Sequence, residues 1–230
     1  MDSSDDPTLV PVEITINDRT GVTLWAPPWI EDGEEWQAFL GSGDRVMAFD
    51  SAADLARYLP RATDNDLSDH PVWEMYQTLP TAELEPDPDF RFDFDGALAL
   101  VKKTSPKGPY DETVSVLGDL VDLAQRIAEC TDDGPLISML DTGTFTDLVE
   151  DADEDAPDWD EDDWQELVEV ITRAWPLLTD RLSARIVWTD PDASSEPNTE
   201  DAGAPVASAR RTPPESSSAT AQPVARAAAT

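Results

Sequence analysis

The sequence predicts an α+β protein: a small N-terminal antiparallel sheet of about four strands packed by helices, a helical C-terminal half, and a disordered C-terminal tail. Three observations predict this class. Apolar residues alternate with polar ones near the N-terminus, which is the period of a half-buried strand. They recur every three or four residues after Asp111, which is the period of an amphipathic helix. Beyond Thr189 large apolar residues are few, and such a segment cannot offset the entropy of ordering.

The strands begin after a mobile leader over residues 1–8. In "LVPVEITIND" four β-branched residues occupy alternate positions, and Pro11 suits a strand start or a sheet edge. "NDRTG" predicts a turn and "VTLWA" a second strand, which Pro27 and Pro28 interrupt because proline donates no hydrogen bond. "EWQAFL" predicts the third strand. The glycine-rich "GSGD" predicts a hairpin loop before a fourth strand, "RVMAF".

Helices are predicted to cover this sheet. Ser51 is placed to cap a helix together with Asp54, and Pro60 should end that helix. Pro71 suits the first turn of a second, short helix. The stretch "EPDPDFRFDFD" carries three phenylalanines on one side and predicts a fifth strand. Residues 9–100 should therefore form an α+β sheet-containing domain.

The next range, 101–188, should form a helical half or subdomain, followed by the disordered tail over residues 189–230. The apolar spacing from Asp111 predicts a helix of about five turns. "PLISMLDTGTFTDLVE" is ambiguous and indicates one short helix. After an acidic run, the spacing from Trp164 predicts a further helix that Pro176 kinks or restarts and that continues to about Ile186.

Charge excludes several classes of partner. The chain has 50 acidic and 15 basic residues, a formal net charge of −35 and a pI of about 4.1. The electrostatic field of this negative charge repels phosphates and anionic lipids. We therefore expect no direct nucleic-acid binding by the folded body and no membrane binding. The field favours a protein partner, in particular a basic one. A second interpretation is that the acidity is the background of a high-GC or salt-adapted proteome, since the chain has three lysines.

Other features predict a cytoplasmic protein. Cys130 is the single cysteine, so no internal disulfide can form and a reducing compartment is expected. The N-terminus is acidic where a signal peptide would be basic and then apolar. No apolar run approaches the ~20 residues of a membrane helix. The sequence carries no signal for an oligomeric state.

No catalytic residue, metal or cofactor is predicted. His70 is the single histidine, and a nucleophile–base site would have to use it with Cys130 or a serine. One histidine and one cysteine cannot build a structural zinc site. The motifs of phosphate-binding loops, dinucleotide-binding turns and nucleophile elbows are all missing from the sequence.

The acidic run matches a calcium-binding loop only in part. Its first acids match three ligand positions, but Ala156 stands where the sharp turn requires glycine, and Asp162 stands where a bidentate glutamate is expected. The sequence therefore predicts a solvated acidic patch that favours the start of the next helix. This patch consists of Asp151, Asp153, Asp155, Asp158, Asp160 and Asp162.

Three tryptophans, Trp25, Trp29 and Trp36, fall within a dozen residues. One interpretation places them in the core of the sheet, where large aromatic side chains bury much area. The other makes them an exposed aromatic binding surface, because "APPW" is stiff and resembles polyproline.

Several blocks carry a resemblance to a known family. "LWAPPW", "EWQAFLG", "VMAFDSAADLARYL", "NDLSDHPVW" and the late "AWPLL" resemble a family of acidic, conserved hypothetical actinobacterial proteins, some of which carry the label "primosomal protein". The resemblance covers Val10 to Trp188. It implies no known activity, cofactor or catalytic residue. The label implies a link to replication restart, which the charge would confine to contacts with other proteins.

These observations favour a non-enzymatic, acidic, cytoplasmic protein-binding or regulatory factor. One alternative is a replication-associated accessory or nucleic-acid-mimic protein that acts on a basic partner. Another is an enzyme that uses His70 with nearby acids.

Overall fold

The structure, a computed structural model, describes residues 7–31, 34–105, 107–152 and 160–192. The predicted tail lies outside the described residues from position 193, as do positions 1–6 of the predicted leader. The strands are β1 (Val10–Ile16), β2 (Arg19–Glu31), β3 (Glu34–Phe39), β4 (Gly41–Ser42), β5 (Arg45–Ala48), β6 (Arg91–Asp93) and β7 (Ile186–Trp188). The helices are α1 (Ala52–Tyr58), α2 (Trp73–Tyr76), α3 (Ala97–Lys103), α4 (Asp111–Cys130), α5 (Gly134–Leu140), α6 (Gly143–Asp151) and α7 (Glu161–Ser183).

The predicted α+β class is confirmed, with a four-stranded sheet in the order β3-β2-β1-β6. β1 and β2 form a two-residue hairpin in which Asn17 and Asp18 both have positive φ, 52° and 58°. Asp95 holds this turn because its carboxylate accepts both backbone N–H groups at 2.8 Å. Positive φ at both central residues is the geometry of a type I′ turn, which asparagine and aspartate tolerate.

The predicted sheet differs from the observed one in the strand that completes it. The fourth predicted strand, β5, lies in a second, three-stranded sheet in the order β4-β5-β7. The fifth, β6, joins the first sheet parallel to β1. The last helix, predicted to continue to about Ile186, ends at Ser183, and residues 186–188 form β7, which pairs in parallel with β5. Such long-range pairings leave no pattern in the local sequence.

Helices cover both faces of the four-stranded sheet. On one face, Val12, Ile14 and Ile16 of β1 share a core with α3, α4, α5, α6 and α7. On the other face, Val22, Leu24 and Ala26 of β2 share a smaller core with α1 and α2. The larger core therefore combines residues from the sheet and from the helical half.

The long helices confirm the predicted periodicity. α4 begins at Asp111 as predicted, and α7 begins within the acidic run. Pro176 lies inside α7 without ending it, and Trp175 and Leu178 are buried on either side of it. The ambiguous segment forms two helices, α5 and α6, and α3 was not predicted. No described helix is long and apolar enough to cross a membrane.

Candidate functional site

The three tryptophans do not share one face of the sheet. Trp25 pairs with Phe39, its ring stacks on that residue at 6.2 Å, and the guanidinium of Arg126 in α4 lies 5.1 Å from its centroid. Trp29 pairs with Trp36 beyond a register shift, with ring centroids 6.4 Å apart. Trp29 packs against the smaller core on the opposite face. The structure thus brings Trp29 and Trp36 together and separates Trp25 from them.

His70 lies beneath Trp29 rather than in an open cleft. Its ring meets the indole edge-to-face at 4.7 Å, and its Nδ1 accepts a long, 3.4 Å hydrogen bond from the backbone N–H of Val72. Burial lowers the pKa of the imidazole, which favours the neutral form. Nε2 has no hydrogen-bond partner among the described residues. The geometry therefore pairs His70 with an aromatic ring and not with a nucleophile.

Cys130 is also placed for packing. Its Sγ lies 3.8 Å from the carbonyl oxygen of Gln37 on the edge strand β3. Burial, with a contribution from the charge of Glu129, raises the pKa of the thiol to about 12. A thiol with such a pKa stays protonated at neutral pH and is a poor nucleophile.

The predicted acidic patch is partly used to begin a helix. Asp160 caps α7, and its carboxylate accepts the backbone N–H groups of Asp162 and Asp163 at 2.8 and 3.0 Å. These bonds lower the pKa of Asp160. Asp151 ends α6. Asp153, Asp155 and Asp158 lie outside the described residues. Within the part of the chain that is described, no cluster of three or more metal-ligating side chains forms.

A cleft of about 630 Å³ lies between α6 and α7. It forms because both helices pack on α4 and leave a gap between them. Phe145 and Leu167 are buried beneath it, and Met139, Val170 and Ala174 contribute further apolar surface. Four carboxylates and one guanidinium also line it: Asp147, Asp151, Asp163, Glu166 and Arg173. An apolar floor with a charged rim suits a ligand that is apolar in the middle and charged at its ends.

Close packing on α4 fixes one wall of the cleft. At Gly118 of α4, a Cβ atom would lie 2.4 Å from both the carbonyl oxygen of Leu148 and the Cβ of Ala152. Glycine at this position therefore lets the backbone of α6 approach α4 directly.

A buried carboxylate fixes the other wall. Asp133 is 1% exposed and precedes α5, where its Oδ1 accepts the backbone N–H of Leu136 at 3.1 Å. Arg181 donates to the same oxygen at 2.8 Å, and Arg185 donates to Oδ2 at 2.8 Å. Arg185 also binds Asp44 at 2.8 Å. These bonds tie the end of α7 to α5 and to the β4–β5 turn.

Sequence reasoning did not find the cleft. Its apolar residues come from the segment for which the sequence predicts one helix, and from the face of α7 for which it predicts burial in the core. Phe145 and Leu148, three residues apart, were the available sign of a separate amphipathic helix. The gap between α6 and α7 arises only when both helices pack on α4.

Comparisons with known proteins agree with this architecture. A family model for the SatS C-terminal domain matches residues 9–183. Among solved structures, the crystal structure of a SatS C-terminal domain in complex with bromine is similar, with a TM-score of 0.55 and 21% sequence identity. The match covers 79% of this chain and 94% of that chain, and at this identity it shows the fold alone. A search of curated proteins found no match.

Proposed function

The chain belongs to the family of SatS C-terminal domains, and we propose, from the chemistry of its own surface, that it is a non-enzymatic, cytoplasmic protein-binding factor. It would bind a basic segment of a partner protein. The cleft between α6 and α7 would be the binding site, and the negative charge of the body would speed the encounter.

The single observation that carries this proposal is the cleft itself. Its volume, about 630 Å³, falls within the range of ligand sites. The apolar surface at Val170 and Ala174 offers burial to an apolar side chain, and the carboxylates of Asp147 and Glu166 offer pairing to lysine or arginine. A basic segment with an apolar residue satisfies both requirements.

The test is capture of partners from the native cell by the full chain, followed by cross-linking. Val170→Gln combined with Ala174→Gln replaces partly exposed apolar surface of the cleft without changing its charge. Leu177→Gln is the control, because Leu177 lies on the same helix, is 63% exposed and does not line the cleft. We expect the double variant to lose a partner that wild type and the control retain. Equal capture by all three proteins would overturn the proposal.

Charge gives a second test of the same proposal. The net charge of −35 should make association fast at low salt. The on-rate should fall steeply as the Debye length shrinks from about 30 Å at 0.01 M to about 8 Å at 0.15 M. Stopped-flow mixing with a captured partner across a salt series measures this. A flat salt dependence would mean that the acidity is background and does not act in recognition.

A second candidate is a nucleic-acid mimic associated with replication, which the resemblance to "primosomal" proteins implies. The observation that favours it is the series of exposed carboxylates along α7, at Glu161, Asp162, Asp163, Glu166 and Glu169. A mimic would bind a DNA-binding protein, and duplex DNA would displace it. A captured partner that does not bind DNA, or that stays bound in excess DNA, would exclude this candidate.

A further inference from the structure

The cleft between α6 and α7 has two electrically different ends. The segment from α5 to α6 runs antiparallel to α7. Asp133 before α5 binds Arg181 near the end of α7. The end of α6 packs on Gly118 in the first half of α4, and Tyr110 before α4 stacks on Trp164 near the start of α7. Asp151 at the end of α6 therefore lies towards the start of α7, where Asp163 and Glu166 also line the cleft. Arg173 also lines the cleft and follows Asp163 by ten residues along α7, on the side that faces the start of α6 in this antiparallel arrangement.

The dipole of α6 strengthens this difference. The helix begins at Gly143 and no side chain caps its first turn, so N–H groups at Gly143 and Thr144 present partial positive charge to the cleft. Its carboxyl end adds partial negative charge beside Asp151. Arg173 is exposed and makes no ion pair with any described residue. One end thus favours cations, and the other favours a carboxylate.

Apolar surface lies between the two ends. Leu167 and Phe145 form the buried floor, and Val170 and Met139 are partly exposed beside them. A ligand with charged groups alone would leave this apolar surface exposed to water. A ligand with a large apolar side chain at its centre would bury the surface. The arrangement therefore requires an apolar group between the two charged ends.

We propose that the cleft binds a polypeptide segment with lysine or arginine at one end, a large apolar side chain in the middle and a carboxylate at the other end. The inference rests on the proposed protein-binding function and names the segment that would be bound. Asp163 and Arg173 are ten residues apart on α7, a distance of about 15 Å along the helix axis. An extended segment of about five residues spans that distance.

The experiment uses three fluorescein-labelled seven-residue peptides that share a central leucine–tryptophan pair. One has lysines at one end and glutamates at the other, one has lysines at both ends, and one has glutamates at both ends. Binding to the full chain is followed by fluorescence anisotropy at low salt. We expect the bipolar peptide to bind tightest, with each lost charge pair weakening binding by up to about fivefold.

Charge-reversal variants test which end of the cleft binds the lysines of the peptide and which end binds its carboxylates. Arg173→Glu should weaken the bipolar peptide and strengthen the all-lysine peptide, whereas Asp147→Lys with Glu166→Lys should weaken both. Lys102→Glu and Glu74→Lys are matched controls, since both residues are exposed and neither lines the cleft; they should leave the order of the three affinities unchanged.

Two results would overturn the bipolar assignment. One is equal binding of all three peptides, and the other is an order of affinities that Arg173→Glu does not change. If the peptides still bind and Val170→Gln with Ala174→Gln abolishes binding, the protein-binding function stands and only the charge assignment fails. If no peptide binds, the assignment fails as well, and the function depends on the capture experiment alone.

Discussion

At the scale of single residues, Trp175 and Trp25 show two different uses of an indole ring. Trp175 is 1% exposed, stacks on Phe94 at 6.0 Å and donates its indole N–H to the Phe94 carbonyl oxygen at 2.9 Å. Trp25 is half-buried, and its indole N–H has no hydrogen-bond partner among the described residues. Trp175 therefore contributes packing and a buried hydrogen bond together, whereas Trp25 contributes partial burial.

Trp175→Ala should accordingly lower the free energy of unfolding by about 4 kcal/mol, because it removes a fully buried side chain. Trp25→Ala should cost about 2 kcal/mol, because part of that ring is already in water. Urea titrations followed by circular dichroism measure both. Equal losses would show that Trp25 is more deeply packed than its exposure indicates.

Asp133 is a buried carboxylate that forms ion pairs with two arginines. Burial raises the pKa of its carboxyl, but hydrogen bonds from Arg181 and Arg185 outweigh burial and leave the pKa below its ordinary value. A lowered pKa means that the carboxylate stabilises the fold above the unfolded-state pKa of about 3.9. That stabilisation is lost as the pH falls through the folded-state pKa.

Asp133→Asn should therefore lower the free energy of unfolding by about 3 kcal/mol at pH 7, since it removes the buried carboxylate that both Arg181 and Arg185 bind. The difference from wild type should shrink as the pH falls below about 4, where wild type loses the same interaction. Urea midpoints across pH 3 to 7 test this, using the exposed Asp141→Asn as the control. A difference in the free energy of unfolding that does not vary with pH would show that Asp133 stabilises the fold by packing and not by its charge.

At the scale of secondary-structure elements, the contact between α4 and α6 depends on one glycine. Gly118→Ala would place a methyl group 2.4 Å from the backbone of α6, so the two helices would have to separate. We expect a loss of about 2 kcal/mol. The control is Gly134→Ala, because nothing lies within 4 Å of a Cβ at that position.

The control variant should change stability by less than about 1 kcal/mol. Binding to the cleft provides a second measurement, because displacement of α6 would also reshape its wall. Gly118→Ala with wild-type stability would contradict the close approach of α4 and α6.

At the scale of the whole molecule, the chain beyond β7 still contacts the fold. Thr189 donates its backbone N–H to the Ala48 carbonyl oxygen at 2.8 Å, and Pro191 is buried. Arg61 donates to the carbonyl oxygen of Pro191, and Arg57 contacts the carboxylate of Asp192. The sequence placed the start of the tail at residue 189, whereas these contacts extend to Asp192.

Removal of residues 193–230 should leave the melting temperature within about 1 °C of the full chain. Removal of residues 190–230 also deletes Pro191 and Asp192. This deletion should lower the melting temperature by about 3 °C for each kcal/mol by which the free energy of unfolding falls. Differential scanning calorimetry of the two shortened proteins separates the two boundaries. An equal effect of both deletions would show that the contacts at 190–192 contribute no stability.

The sequence by itself determined the elements whose signal is local. Alternation fixed β1, and the helical period fixed α4 and most of α7, since each pattern records one buried face. Ser51 was correctly predicted to cap α1, where its hydroxyl accepts the backbone N–H of Asp54. The acidity of the chain and its single histidine and cysteine also follow from composition alone.

The tertiary structure alone decided which of these elements meet. β7 pairs with β5 across about 140 residues of chain, and Arg181 and Arg185 reach Asp133 across about 50. The separation of Trp25 from Trp29 depends on a register shift in β2 and β3. The cleft exists because α6 and α7 both pack on α4 and leave a gap between them. Local periodicity records which face of an element is buried, but not which element covers that face.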